Sequence, residues 1–191
     1  KIKKNHELSL ELYDTGNSDA MYLAGLIADE SRITREQLNE WAEKAYWYML
    51  SDFTVAWIAA ESPHGWDLAL EWIDSEKEMV ASAGWATISS HLAITPDEEL
   101  DKEKLSELLD RVKSSIHEAP NRVRYTMNGF IIALGSYVPD LTQKANEAGS
   151  AVGKVSVDMG GTACKVPLAT GHIKKVEDRG AIGKKKKTAR C

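Results

Sequence analysis

The stretch from about Asp101 to Glu118 restricts the fold most. Leu105, Leu108, Leu109, Val112 and Ile116 fall at i, i+3, i+4, i+7 and i+11, which places them on one stripe of a 3.6-residue helix. A strand would alternate with period two, and this segment does not. Pro120 ends the helix, because a proline nitrogen has no proton to continue the hydrogen-bond ladder. The largely apolar stretch Arg122 to Val138 then reads as a buried helix.

The same punctuation recurs upstream. His6 to Tyr13 reads as a short helix stopped by Gly16. Asn17 or Ser18 can cap a helix from Asp19 to Ala28. Thr34 with Gln37 three residues later is a capping box, and it opens a helix in which Leu38, Trp41, Ala42 and Ala45 share a face. Ser51 or Asp52 can cap the next helix through Ala60, and Pro63-His64-Gly65 breaks the chain. Trp66 to Ile73 and Lys77 to Leu92 make a further pair. Pro139-Asp140 opens a last helix to about Ala148.

After Gly149 the character changes. Lys154-Val155-Ser156-Val157 alternates like a strand, Asp158 to Thr162 reads as a turn, and Gly171, Gly180 and Gly183 punctuate a tail expected to be extended. One echo connects two helices: Gly84-Trp85 and Gly129-Phe130 lie 45 residues apart, in the range of HEAT-type helix pairs. A glycine inside a helix costs about 1 kcal/mol against alanine, so both are expected to mark close helix packing. The chain is therefore read as all-α: a HEAT-like helical-repeat solenoid over residues 1–150, followed by an irregular basic C-terminal extension over 151–191.

With 191 residues the chain can bury one sizeable core. No apolar run approaches the roughly 18 residues of a membrane span, so no membrane role is expected. The opening Lys1-Ile2-Lys3-Lys4-Asn5-His6 has neither an initiator Met nor an apolar signal core, and is read as a trimmed N-terminus. Cys164 and Cys191 make no disulfide framework, which fits a cytoplasmic protein. Cys164, His172 and Cys191 are too few soft ligands for zinc, so no metal site is expected. The net charge of −5 is divided unevenly: from His172 to Cys191 eight Lys/Arg face two Asp/Glu, which leaves −11 on residues 1–171. That balance disfavours indiscriminate nucleic-acid binding but permits a local basic face and a basic tail. The Lys184–Lys187 run, taken alone, reads as an ordinary solvated charge run.

All six tryptophans lie between Trp41 and Trp85. Trp57, Trp72 and Trp85 read as core. Trp47 and Tyr48 are adjacent and cannot share one core stripe with Trp41. Asp52 follows Tyr48 by four residues and Trp47 by five. Aromatic rings can stack on a base or meet a cation face-on, and a carboxylate beside them can stabilise positive charge and orient a water. By spacing alone, however, Asp52 reads as a helix N-cap.

Four segments in order carry a resemblance: Asn5 to Tyr13, Asp19-Ala20-Met21-Tyr22-Leu23-Ala24, Trp47 to Asp52, and Arg122-Val123-Arg124-Tyr125-Thr126-Met127-Asn128. Together they resemble the DNA alkylation repair family with its AlkD-like branch of HEAT-repeat DNA glycosylases, of which the chain would be a divergent member. Asp158 to Pro167 resembles one branch of it. The resemblance implies a HEAT-like solenoid that holds duplex DNA in a concave groove. It also implies, for active members, excision of cationic N-alkylated purines without flipping the base and without a cofactor. Asp52 matches the catalytic carboxylate, which would stabilise the developing sugar cation and position water. Tyr48 matches one cleft tryptophan. The catalytic arginine falls near Ser82 and the second cleft tryptophan near Gly129, whose neighbour Phe130 is the candidate substitute. Trp47, Tyr48 and Phe130 are thus the candidate substrate-binding residues. Arg122 and Arg124 are candidate phosphate contacts, balanced against ordinary surface ion pairing. Lys154, Lys165, Lys174 and Lys175 would extend a basic rim.

No histidine is assigned a catalytic role. Three readings stay open: a glycosylase acting on alkylated DNA, a non-catalytic binder of damaged or branched duplex, and a helical scaffold for protein partners. A monomer is expected.

Overall fold

In the computed structural model, which describes residues 3–190, every regular element is helical and no strand occurs among the described residues. The helices are α1 (His6–Asp14), α2 (Ser18–Ile27), α3 (Arg35–Lys44), a π-helical segment (Leu50–Val55) that runs into α4 (Ala56–Glu61), α5 (Gly65–Trp72), α6 (Glu78–Ile94), α7 (Lys102–Ser115), α8 (Asn121–Tyr137), α9 (Thr142–Val152) and α10 (Ala169–Asp178). Short 3₁₀ turns occupy Asp97–Glu99 and Pro139–Leu141. Among the described residues no helix is long and apolar enough to cross a membrane.

The starts are set by side chains that satisfy the first free N–H groups of each helix. Asn17 rather than Ser18 caps α2, accepting from the N–H groups of Asp19 and Ala20. Thr34 and Gln37 form the reciprocal capping box of α3. Asn5 and Asp101 cap α1 and α7.

Two compact units result. The first comprises Lys1–His91 with Thr188–Cys191, the second Leu92–Lys187. In the first, α1 packs on α2, while α2 and α3 pack on the π-helical segment and α4 on α5. Tyr13, Leu38, Trp41, Leu50, Ile58 and Leu68 centre its core. The Tyr13 ring stacks on Trp41 at 4.1 Å and its hydroxyl donates to the Trp41 carbonyl at 2.7 Å. Burial pushes the Tyr13 phenol well above its ordinary range. Trp57, Trp72 and Trp85 are buried as expected. The chain's last described residues belong here too. The Arg190 guanidinium meets Glu30 at 2.7 Å and Glu61 at 3.0 Å, and the Ala189 N–H donates to Glu61 at 2.7 Å.

In the second unit the α7 stripe is wholly covered: Leu105, Leu108, Leu109, Val112 and Ile116 are all buried. α7 packs on α8 and α9, and α10 lies against both α8 and α9. This corrects the expectation of a non-helical extension. Ala169 and Ile173 stand four residues apart on one face of α10 and are buried, so the helix is held by an apolar pair that the glycines around it obscured. Space for it is made by small residues: a Cβ on Gly135 would lie 2.5 Å from Ile173 Cδ1, and one on Gly149 would lie 3.2 Å from Ala169 Cβ. The alternating run at Lys154–Val157 forms no strand either. A strand needs a neighbour to complete its ladder. Here the irregular chain from 153 to 168 is tied to α8 instead: Asn121 exchanges hydrogen bonds with the Asp158 backbone at 2.7 and 2.9 Å, and Asn128 donates to the Pro167 carbonyl at 3.0 Å.

The two echoed glycines behave differently. A Cβ on Gly84 would lie 2.8 Å from the Ile73 nitrogen and 2.9 Å from the Ala69 carbonyl oxygen, so α6 and α5 are in backbone contact there. Around Gly129 nothing lies within 4 Å, so its presence is not a packing requirement. Gly129→Ala should therefore raise stability by about 0.5–1 kcal/mol, whereas Gly84→Ala should lower it by about 2 kcal/mol. Urea unfolding of both variants measures this, and a loss of stability in Gly129→Ala would contradict it.

Candidate functional site

The chain leaves α3 at Ala45 and passes through Tyr46 and Trp47 before helix resumes at Tyr48. Tyr46 anchors this turn, its hydroxyl donating to the Gly16 carbonyl at 3.0 Å. From Leu50 to Val55 the helix widens to π geometry. A π turn carries an extra residue and re-aims the side chains it holds, a feature common at functional sites. α2 is pressed against this turn, since a Cβ on Gly25 would lie 2.6 Å from Thr54 Cγ2.

Asp52 lies inside this turn, not at a helix start, so it is not an N-cap: the helix already begins at Tyr48. Its residue is 7% exposed. Its Oδ1 accepts the Ser51 hydroxyl at 2.8 Å and the Ser82 hydroxyl, from α6, at 2.6 Å. The Ser51 hydroxyl also lies 3.6 Å from the sulfur of Met79. Two hydroxyls on one carboxylate oxygen hold the group in a single orientation. The serine standing where the resemblance places an arginine is thus a direct partner of Asp52. The sequence marks Ser82 only as the site of a missing residue, and Ser51 only as a cap. A hydroxyl across thirty residues of chain leaves no local signal.

Trp47 is 40% exposed and meets the ring of Tyr48 edge-on at 5.4 Å. Tyr48 is half-buried. The first unit therefore offers an exposed indole with a flanking phenol, and a recessed carboxylate on the same short stretch of chain. Such a set can stack on a planar group and favour positive charge.

The remaining candidates lie in the second unit, and two of them need correcting. Phe130 is completely buried. It belongs to the inward face of α8 with Val123, Met127, Ile131 and Leu134, so it has no surface to offer a ligand. Arg122 is 7% exposed and its guanidinium sits 4.0 Å over the Tyr125 ring. It shares that inward face and is no open phosphate contact. Arg124 is half-buried. Lys154 and Lys165 are exposed and have no ion-pair partner among the described residues. Lys174 pairs with Asp178 at 3.0 Å.

Charge follows the same division. The first unit holds eight Lys/Arg against sixteen Asp/Glu, and the second sixteen against thirteen. The acidic excess of the chain thus lies entirely in the first unit. Among the described residues no group of three or more His, Cys, Asp or Glu is placed to hold a metal ion.

Comparison with known proteins gives a consistent result. Residues 1–155 match the family described as DNA alkylation repair enzyme. The uncharacterized protein Lin0241 of Listeria innocua is 40% identical over 181 residues, covering 94% of this chain and 77% of its own. The uncharacterized protein Lmo0209 of Listeria monocytogenes is also 40% identical over 181 residues, with the same coverage. Among solved structures, one from a new family of proteins related to the HEAT-like repeat DNA glycosylases, with affinity for branched DNA structures, superposes with a TM-score of 0.92 at 39% identity. It covers 100% of this chain and 81% of its own.

Proposed function

Since the chain belongs to the DNA alkylation repair enzyme family and has its HEAT-like helical fold, we propose that it binds branched or otherwise structured duplex DNA and does not excise bases. The state of Asp52 carries this reading. Excision of a cationic base needs an accessible negative charge beside the sugar and a positioned water. Here the carboxylate is recessed at 7% exposure, and one of its oxygens takes two serine hydroxyls. The ring nearest the expected second cleft position, Phe130, is in the core. The affinity of the 39%-identical solved relative for branched DNA structures supports the choice of ligand. Family membership does not by itself imply catalysis.

One observation favours a second reading. The carboxylate is retained on the same stretch as Trp47 and Tyr48, as hydrolysis of the N-glycosidic bond of a cationic alkylated purine would require. Two measurements separate the readings. A fluorescent three-way junction should bind at least about tenfold tighter than a linear duplex of equal length at one fixed salt concentration. Equal affinity for the two would remove the proposal. Methylated DNA incubated with the protein should release no more base than with Asp52→Asn. Release that disappears in Asp52→Asn would establish excision instead.

A further inference from the structure

We propose that α10 and the chain that follows it form a phosphate-binding face on the second unit, which grips the nucleic-acid backbone through Lys175, Arg179, Lys184, Lys186 and Lys187. This rests on the reading that the ligand is DNA. It adds where the backbone is held, at residues other than the buried Arg122 and the Asp52 site.

The first observation is how the cations are paired. Through the first unit and as far as Lys144, basic side chains repeatedly meet carboxylates: Arg32 with Glu7, Lys44 with Asp14 and Glu40, Lys102 with Asp97 and Asp140, Lys104 with Glu107, Lys144 with Asp110. From Lys154 to Lys187 there are nine Lys/Arg and only three Asp/Glu. Lys175, Arg179, Lys184, Lys186 and Lys187 are exposed. None of these five has a carboxylate partner among the described residues. Exposed cations without carboxylate partners are free to neutralise phosphates, and each phosphate they neutralise releases a counterion condensed on the nucleic acid, a gain in entropy.

The second observation is that these cations are not on a loose tail. α10 is docked through Ala169 and Ile173. Beyond it the backbone is tied at each step: Ala181 N–H to the Val176 carbonyl at 3.0 Å, Gly183 N–H to Ser136 at 2.9 Å, Lys184 N–H to Ala181 at 3.2 Å, and Lys186 N–H to Ala93 at 2.7 Å. Gly180 and Gly183 take positive φ, 59° and 77°, which makes these turns possible. Lys185 alone points inward, its ammonium donating to the Leu92 carbonyl at 2.9 Å beside Asp97. A charge run that serves only solubility gains nothing from being pinned. A pinned one presents fixed point charges, which is what backbone contact requires. Lys175 lies in the last turn of α10 and Arg179 is its C-cap residue, four positions on, and the turns through Ala181 bring Lys184 onward from that end. Four lysines and one arginine match sequence-independent phosphate contact rather than bidentate base reading.

The test is binding of a fluorescent linear duplex and a three-way junction across a salt series, using the whole chain and a variant with Lys175, Arg179, Lys184, Lys186 and Lys187 all changed to glutamine. The expected result is a loss of tenfold or more in affinity for both DNAs, with the slope of log affinity against log salt shallower by about 4–5, at roughly 0.9 for each phosphate no longer neutralised. A control carrying Arg32→Gln, Lys44→Gln and Lys77→Gln should keep both values. Splitting the variant into Lys175→Gln/Arg179→Gln and Lys184→Gln/Lys186→Gln/Lys187→Gln should divide the slope change, which an unfolded protein would not do. If the whole chain binds but the five-fold variant keeps its affinity and slope, this inference fails and the DNA reading stands. If the variant loses binding while the junction shows no advantage over linear duplex, the preference for branches fails and the phosphate face stands. If the whole chain binds neither DNA, both fall.

Discussion

Gly65→Ala is expected to destabilise the first unit by about 3 kcal/mol or more, the range of severe core overpacking. Gly65 opens α5 directly after the Ser62-Pro63-His64 break that follows α4. A Cβ there would lie 1.9 Å from the Ala59 carbonyl oxygen, 2.5 Å from its carbon and 3.1 Å from the Ala60 nitrogen. All three are backbone atoms of α4, so no rotamer change relieves the clash and the two helices must part. The consequence reaches the candidate site, because α4 is the direct continuation of the π-helical turn that carries Asp52. All six tryptophans lie between Trp41 and Trp85, inside this unit, so the urea midpoint followed by tryptophan fluorescence reports the effect. A midpoint corresponding to less than about 0.5 kcal/mol of change would show that the close approach is not required.

Ile173→Asp is expected to release α10. The isoleucine is fully buried, against the space left by Gly135. A carboxylate in that position, with no partner placed for it, costs several kcal/mol if it stays. The lower-energy course is for the helix to detach, since only Ala169 and Ile173 of α10 are buried. Hydrogen exchange at the amides of Ala169–Asp178 should then approach unprotected rates, while Leu105, Leu109 and Val112 in α7 stay protected. The cations beyond α10 would lose their fixed placement, so duplex affinity should fall together with the protection. Retained protection across α10 would mean that this helix is held by something other than Ile173.

Much of the helical structure is legible in the sequence because it depends on neighbours within four residues. The Thr34–Gln37 capping box and the Leu105-to-Ile116 stripe appear as expected. So do the break at Gly16 and the break at Pro63-His64, although Gly65 itself already opens α5. α8 is harder. It is apolar on nearly every side, so periodicity does not say which side is covered, and Phe130 and Arg122 pass for surface residues. The packing of α9 and α10 on α8 decides that question. α10 itself is hidden because its two buried positions lie among glycines, and a helix so short is stable only when docked.

The candidate site shows the same division. Its residue types are visible in order along the chain, and that order together with the helical punctuation leads to an all-α repeat of the DNA alkylation repair family. By itself, then, the sequence determined the helical class, the family and the carboxylate in question, because capping, periodicity and motif order are properties of adjacent residues. Whether Asp52 caps a helix or is recessed and braced, whether Gly84 or Gly129 marks close packing, and which cations stand unpaired were decided only by the tertiary structure. Each of those depends on an approach between separate helices, or on its absence, and the geometry of such approaches is set by helix packing rather than by any local preference.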